Sequence, residues 1–250
     1  MKTKLLILII FFSSLAEVFS QGFDWQYSAR LPFEVPTFFT GIDFISSYNI
    51  ISSDFNICDK GIPCDTFMNG KSVNISAGIK FEYWSSADLS YFTGANLTYS
   101  KNSFLNENMY YYFPEVGNKI LEYEYLRTEY IPEIEIGVKY RMRFLLPHIF
   151  SSLSLKAGFV ASSKEELILR KISEADWLAD EIHFTGFESL KLSGIMFEPH
   201  LKLGYDVNLG IGSYSSIYVD IGLPIQNRYS KGEWYSTKIS LGISIFPLGY

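Results

Sequence analysis

Val73-Asn74-Ile75-Ser76-Ala77-Gly78-Ile79-Lys80-Phe81-Glu82-Tyr83 is apolar at every odd position and polar or glycine at every even one. Successive side chains of a β-strand point to opposite faces, so the stretch reads as a strand with one greasy and one polar face. The same alternation runs through Leu89 to Tyr99, Tyr130 to Met142, Leu153 to Phe159, Ile195 to Tyr205, Ile217 to Leu223 and Tyr235 to Ile245, and less clearly through Thr37 to Ile45. These are eight predicted strands, each near the roughly 9 to 11 residues that a tilted strand needs to cross a bilayer. The links between them alternate. Those at Ser85 to Asp88, Arg143 to His148 and Asp206 to Ser213 are short, and the others are long and polar. Such alternation predicts an up-and-down barrel with short turns at one end and long loops at the other.

Composition narrows the classes of function. The chain has 250 residues, 17% aromatic and 19% charged, with a formal net charge of −6 and 21 lysines and arginines that do not cluster. Scattered basic residues on an acidic chain do not make a nucleic-acid footprint. Lys2 and Lys4 precede the apolar run Leu5 to Phe12, and Val18, Phe19 and Ser20 follow, the layout of a secretory signal peptide cleaved after Ser20. The alternative, an uncleaved anchor, would need a much longer apolar run. We therefore expect residues 1–20 to be a signal peptide, 21–36 an extended periplasmic lead containing Pro32 and Pro36, and 37–250 one barrel domain. The only cysteines, Cys58 and Cys64, share a short Gly, Pro and Asp-rich segment in which a disulfide can close a loop outside the cytosol. Two free thiols, or half a metal site, are the alternatives. Zinc would lack ligands, because no histidine and no second cysteine pair lies nearby.

The strand map places Tyr99, Tyr130 and Tyr235 on the apolar face at the long-loop end, and Tyr83, Tyr91, Tyr140 and Tyr205 on that face at the short-turn end. Tyrosine favours the membrane interface, so these form two expected aromatic girdles. The final strand ends on the alternating Phe246, Leu248 and Tyr250. On these features, residues 37 to 250 resemble the small eight-stranded outer-membrane β-barrels of Gram-negative-type bacteria. The resemblance implies an outer-membrane location, contact with outer-membrane lipid, and handling by the barrel assembly machinery through the aromatic-ended terminus Phe246, Leu248, Tyr250.

In an eight-stranded barrel the interior is only wide enough to be filled by side chains. The inward parity collects Asp43, Glu82, Glu129, Glu133, Glu135, Glu198 and Asp220 against Lys80, Lys139, Arg141, Arg143, Lys156, Lys202 and Lys238, with His200 between Glu198 and Lys202. A lumen of balanced charge favours a salt-bridged plug, whereas a selective pore more often carries a ring of one sign. Eight glycines, among them Gly78, Gly204 and Gly242, share that parity and make room for the long paired chains.

Catalysis would need a nucleophile and base at an accessible rim. Glu198 and His200 form such a pair by type but fall mid-strand, and His183 with Asp180 and Glu181 falls in a long loop where solvated side chains are the plainer reading. The triplets Asn74-Ile75-Ser76 and Asn96-Leu97-Thr98 match a glycosylation acceptor, yet both asparagines take the inward parity. No cofactor motif occurs. The expected working parts are the loops at 47–71, 100–127 and 164–192, with Tyr110, Tyr111, Tyr112 and Phe113 in the second. Two other readings share the strand count: a small passive pore or apolar-ligand conduit, and a soluble lipocalin-like barrel with its apolar face inward.

Overall fold

In the computed structural model the described residues are 37–59, 62–113, 117–142, 148–171, 181–184, 190, 194–210, 212–229 and 232–249; at strand tips and at 248 only the backbone is described. The strands are β1 (Phe38–Asp59), β2 (Ile62–Trp84), β3 (Leu89–Phe113), β4 (Gly117–Arg141), β5 (Ile149–Phe159), β6 (Ser162–Lys171), β7 (Glu181–Phe184), β8 (Ile195–Gly210), β9 (Ser213–Gly222) and β10 (Glu233–Gly249). Every pairing is antiparallel. The order β3-β2-β1-β10-β9-β8-β5-β4, closed by a β3–β4 pairing, makes a ring of eight, with β6 and β7 appended beyond β4. Closure removes sheet edges, and with them the unpaired main-chain groups that hydrocarbon could not satisfy.

The outer wall between the tyrosine rows is apolar: Ile75, Leu97, Ile134, Leu153, Leu203, Val219 and Leu241 are each exposed by 45% or more. The inner wall carries the charged residues. An apolar exterior around a polar interior is the arrangement of a transmembrane barrel and the inverse of a soluble one, so the lipocalin-like reading is overturned.

The strands do not stop where the sequence reading ends them. The expected loop 47–71 is a β1–β2 hairpin, with Ile50 opposite Lys71 and Ile57 opposite Asp65. The expected loop 100–127 is the β3–β4 hairpin, with Lys101 opposite Thr128 and Phe113 opposite Gly117. The third expected loop contains β6, which continues β5 past an interruption at Val160 and Ala161 and pairs with β4, and β7, which pairs with β6. The reason is a change of phase. Within the membrane zone most apolar residues of β1 point out, as Phe44, Tyr48 and Ile50 do, with Phe39 and Ile45 turned in; above it they point in, as Ile51 and Phe55 do. Along β1 parity is unbroken while hydropathy inverts, because the medium outside changes from lipid to water; on β2 a bulge opposite Ser52 to Phe55 shifts the inward parity so that Phe67 faces in.

At the short-turn end, Asp206 belongs to β8 and is buried, a correction to its placement in a link. Glycine matters where strand walls approach an inward ring: a methyl group on Gly242 would collide with the Tyr218 ring, and one on Gly78 with Asn96.

Candidate functional site

The lumen is built in layers, each supplied by facing strands. At the short-turn end Phe39, Trp84, Tyr214 and Phe246 form a buried aromatic floor. Phe246 stacks on Tyr214 with ring centroids 4.5 Å apart. The Phe246 side chain is fully inside, following the inward parity of Ser240 and Ser244. The side chains of Leu248 and Tyr250 lie outside the described residues.

Above the floor, Arg141 lies 3.5 Å from the Trp84 ring centroid, its Nη2 donates to Glu82 at 2.6 Å and its Nε donates to Asp206 at 3.0 Å. Lys139 donates to the same Asp206 at 2.7 Å and lies 3.6 Å from Glu82. The hydroxyls of Ser90 and Ser216 donate to Glu82 and Asp206, each at 2.6 Å. Two carboxylates and two cations thus close on each other with further donors filling their remaining lone pairs, which is what a buried ion cluster needs to persist.

The next layer joins Lys202 to Glu135 at 2.5 Å, with Ser154 donating to Glu135 at 2.5 Å. Beside it the hydroxyls of Tyr218 and Ser244 donate to Asp43 at 2.7 and 2.6 Å, and Lys80 sits 4.7 Å from the Phe92 ring centroid. Higher still, Lys156 lies 3.5 Å from Asp220, and Lys238 donates to Glu198 at 2.8 Å. His200 is held between two carboxylates, Nδ1 at 2.9 Å from Asp220 and Nε2 at 3.1 Å from Glu198. Thr98 donates to Glu133 at 2.9 Å. His200 is 1% exposed, while the Glu198 side chain beside it is 20% exposed. Arg143 and the side chain of His183 lie outside the described residues, and among the described residues no cluster could hold a metal ion.

The top layer is centred on Glu129, expected inward from its parity, while its partners Arg127, Arg228 and Glu165 are not in the expected set. Arg127 and Arg228 bond Glu129 at 2.6 and 2.9 Å, and Arg127 also bonds Glu165. Glu129 stands one residue above the Tyr99–Tyr130 row. Burial opposes its charge, yet Arg228 and Arg127 together hold its carboxyl below the usual glutamate range. Over this layer Ile51, Phe55, Phe67, Phe104, Tyr123, Tyr125, Leu167, Leu190, Tyr229 and Trp234 pack into an aromatic dome. Burial pushes the Tyr125 hydroxyl pKa up, with the Glu165 charge adding to it.

The dome is roofed on one side by residues 223–229. β9 ends at Gly222, so above it β8 and β10 have no strand between them. On one side of the gap Gln226 accepts from Phe197 N at 3.0 Å and donates to Ile195 O at 3.0 Å, both on β8, and on the other Arg228 N donates to Trp234 O of β10 at 3.0 Å. Behind Gln226 is a lumen cavity of about 70 Å³ bordered by Asn74, Glu133, Lys156, Glu198 and Lys238.

The structure places Tyr83, Tyr91, Tyr140 and Tyr205 outward at the short-turn end and Tyr99, Tyr130 and Tyr235 outward at the other, all 36 to 50% exposed. The Tyr99 and Tyr130 rings lie 5.4 Å apart. The sulfurs of Cys58 and Cys64 lie outside the described residues. The flanking pairs Ile57 with Asp65 and Asp59 with Ile62 set the two positions across the hairpin from each other.

No protein-family model matches this chain, and no curated protein matches it in sequence. Several solved structures are similar to it in structure. Neisserial surface protein A is 11% identical over 83% of this chain and 96% of its own, with a TM-score of 0.36. Ail, the attachment invasion locus protein of Yersinia pestis, is 8% identical over 84% and 99%, with a TM-score of 0.33. The outer membrane protein AlkL is 10% identical over 90% and 97%, with a TM-score of 0.28. The eight-stranded transmembrane barrel described above stands on the chain's own ladders and wall chemistry.

Proposed function

We propose that this chain is a non-enzymatic outer-membrane barrel, exported by cleavage of residues 1–20, in which a sealed, ion-paired lumen serves as a rigid post for an interaction surface outside the cell. The observation that carries the reading is the stack of ion-paired layers closed by aromatic packing at both ends, Phe39, Trp84, Tyr214 and Phe246 below and the dome around Phe55 above. A rigid barrel that conducts nothing still holds its tall hairpins in a fixed relation, and presentation of such elements is what binding needs. With short turns on the periplasmic side, the β1–β2, β3–β4 and β6–β7 hairpins stand outside, where an extracellular ligand would meet them. Lipid and the assembly machinery are the partners of the wall and of biogenesis. The cysteines at the β1–β2 tip are suited to locking that hairpin by a disulfide.

The interrupted wall beside Gln226 favours a second reading, a conduit for small apolar molecules. Size weighs against it: the cavity behind Gln226 is about 70 Å³, while pockets for organic ligands start at roughly 300 Å³.

Orientation and display are tested by a peptide tag placed either between Phe113 and Gly117 or in the Ser85–Ala87 turn of the intact protein. On whole cells, antibody should reach the first tag and not the second. Labelling of the turn tag alone would invert the barrel and overturn the reading.

A further inference from the structure

On the outer face of the wall, directly above the Tyr99–Tyr130 row, lies a depression of about 370 Å³ bordered by Lys101, Thr128, Ser162 and Lys164. The ladders make it a row. Lys101 pairs with Thr128, and Thr128 with Lys164, so the two lysines flank one hydroxyl at roughly 10 Å, two strand spacings. One step toward the membrane the same register gives Tyr99, Tyr130 and Ser162. Lys101 makes no salt bridge among the described residues, while Lys164 reaches Glu166 at 2.6 Å with its ammonium still largely in water. Glu166 is the one carboxylate bordering the depression.

Resting on the orientation proposed above, we propose that this row binds the phosphate-bearing headgroup of a lipid in the outer leaflet. Tyrosines place the row at headgroup depth, and ammonium and hydroxyl donors on a concave face offer charge-assisted hydrogen bonds to phosphate oxygens. An acidic chain that sets a cationic, hydroxyl-lined hollow at that depth is complementary to an anionic headgroup and not to the bulk of a neutral one.

The test compares the full-length mature protein with its Lys101→Gln, Lys164→Gln variant. Both side chains are solvated, so the fold should stand, and heat-modifiable migration of each protein checks this separately. Each is titrated with lipid A in detergent micelles, using dephosphorylated lipid A and inorganic phosphate as comparators. A lysine near an anionic headgroup contributes about fivefold in affinity, so the variant should bind phosphorylated lipid A about thirtyfold more weakly. Dephosphorylated lipid A should bind both proteins alike. Equal binding of lipid A by the two proteins would overturn the proposal, as would competition by inorganic phosphate as strong as by the lipid. Loss of heat-modifiable migration in the unsubstituted protein would instead strike the barrel reading beneath it.

Discussion

Replacing Asp206 by alanine should destabilise the barrel by about 3–5 kcal/mol, the cost of breaking a buried ion pair and leaving its partners uncompensated. Asp206 is 2% exposed and accepts from Lys139, Arg141 and the Ser216 hydroxyl. Its loss leaves Glu82 as the single carboxylate within ion-pair reach of two buried cations. The effect is asymmetric. Removing Asp206 alone strands charge, whereas replacing Asp206, Lys139 and Arg141 together by apolar residues of similar volume should cost much less. The measurement is equilibrium unfolding by urea in lipid vesicles, followed by the loss of the heat-modifiable band. A change under about 1 kcal/mol for Asp206→Ala would mean that lumen water already screens the cluster, and the sealed floor would have to be given up.

Truncating Phe55 to alanine should remove about 3–5 kcal/mol, but from the dome and not from the membrane wall. Phe55 stacks on Phe67 at 5.5 Å and on Trp234 at 5.8 Å, and meets Phe104, Tyr125 and Tyr229 edge-on at 5.0, 5.7 and 6.1 Å. It thus has five ring partners within the dome. The tall hairpins are anchored to the lipid-embedded part only by their own strands, so they can open as a local unit. Limited proteolysis should therefore cut the Phe55→Ala protein rapidly within residues 50–70 or 100–127 while an embedded fragment survives. Unchanged protease resistance would show that the dome is held by its hydrogen-bonded ladders and not by ring packing.

The membrane zone was legible in the sequence because lipid and lumen impose opposite chemistry on alternate residues. Ile75 against Asn74, or Ile134 against Glu135, carries the reading without help from tertiary structure. The extensions were not legible for a definite physical reason. Above the tyrosine row the exterior becomes water, so Phe55, Phe104 and Tyr125 turn inward, and a pattern that expects apolar residues outside sees the strand end. The alternation in the dome is also less regular than in the wall: a bulge shifts the β1–β2 register between Ser52 and Phe55, and Tyr123, Glu124 and Tyr125 are all buried in succession. Asp206 sits within an alternation that Val207 and Leu209 continue beyond Tyr205, so the sequence already carries β8 past the tyrosine row and into its turn. Phe246 shares the parity of Ser244, so the sequence itself places its ring inward. Arg228 has no local signal, since its partner Glu129 is 99 residues away in sequence, whereas Arg127 shares the inward parity of Glu129 two residues on but falls within the stretch 100–127 expected to be a loop.

The central claim is that the lumen is closed, and single-channel recording of the refolded mature protein in a planar bilayer tests it most directly. Insertion, shown by heat-modifiable migration of the same preparation, should come with no steady conductance steps. Stable, discrete openings of the unsubstituted protein would contradict the account: the ion-paired layers would then line a pore.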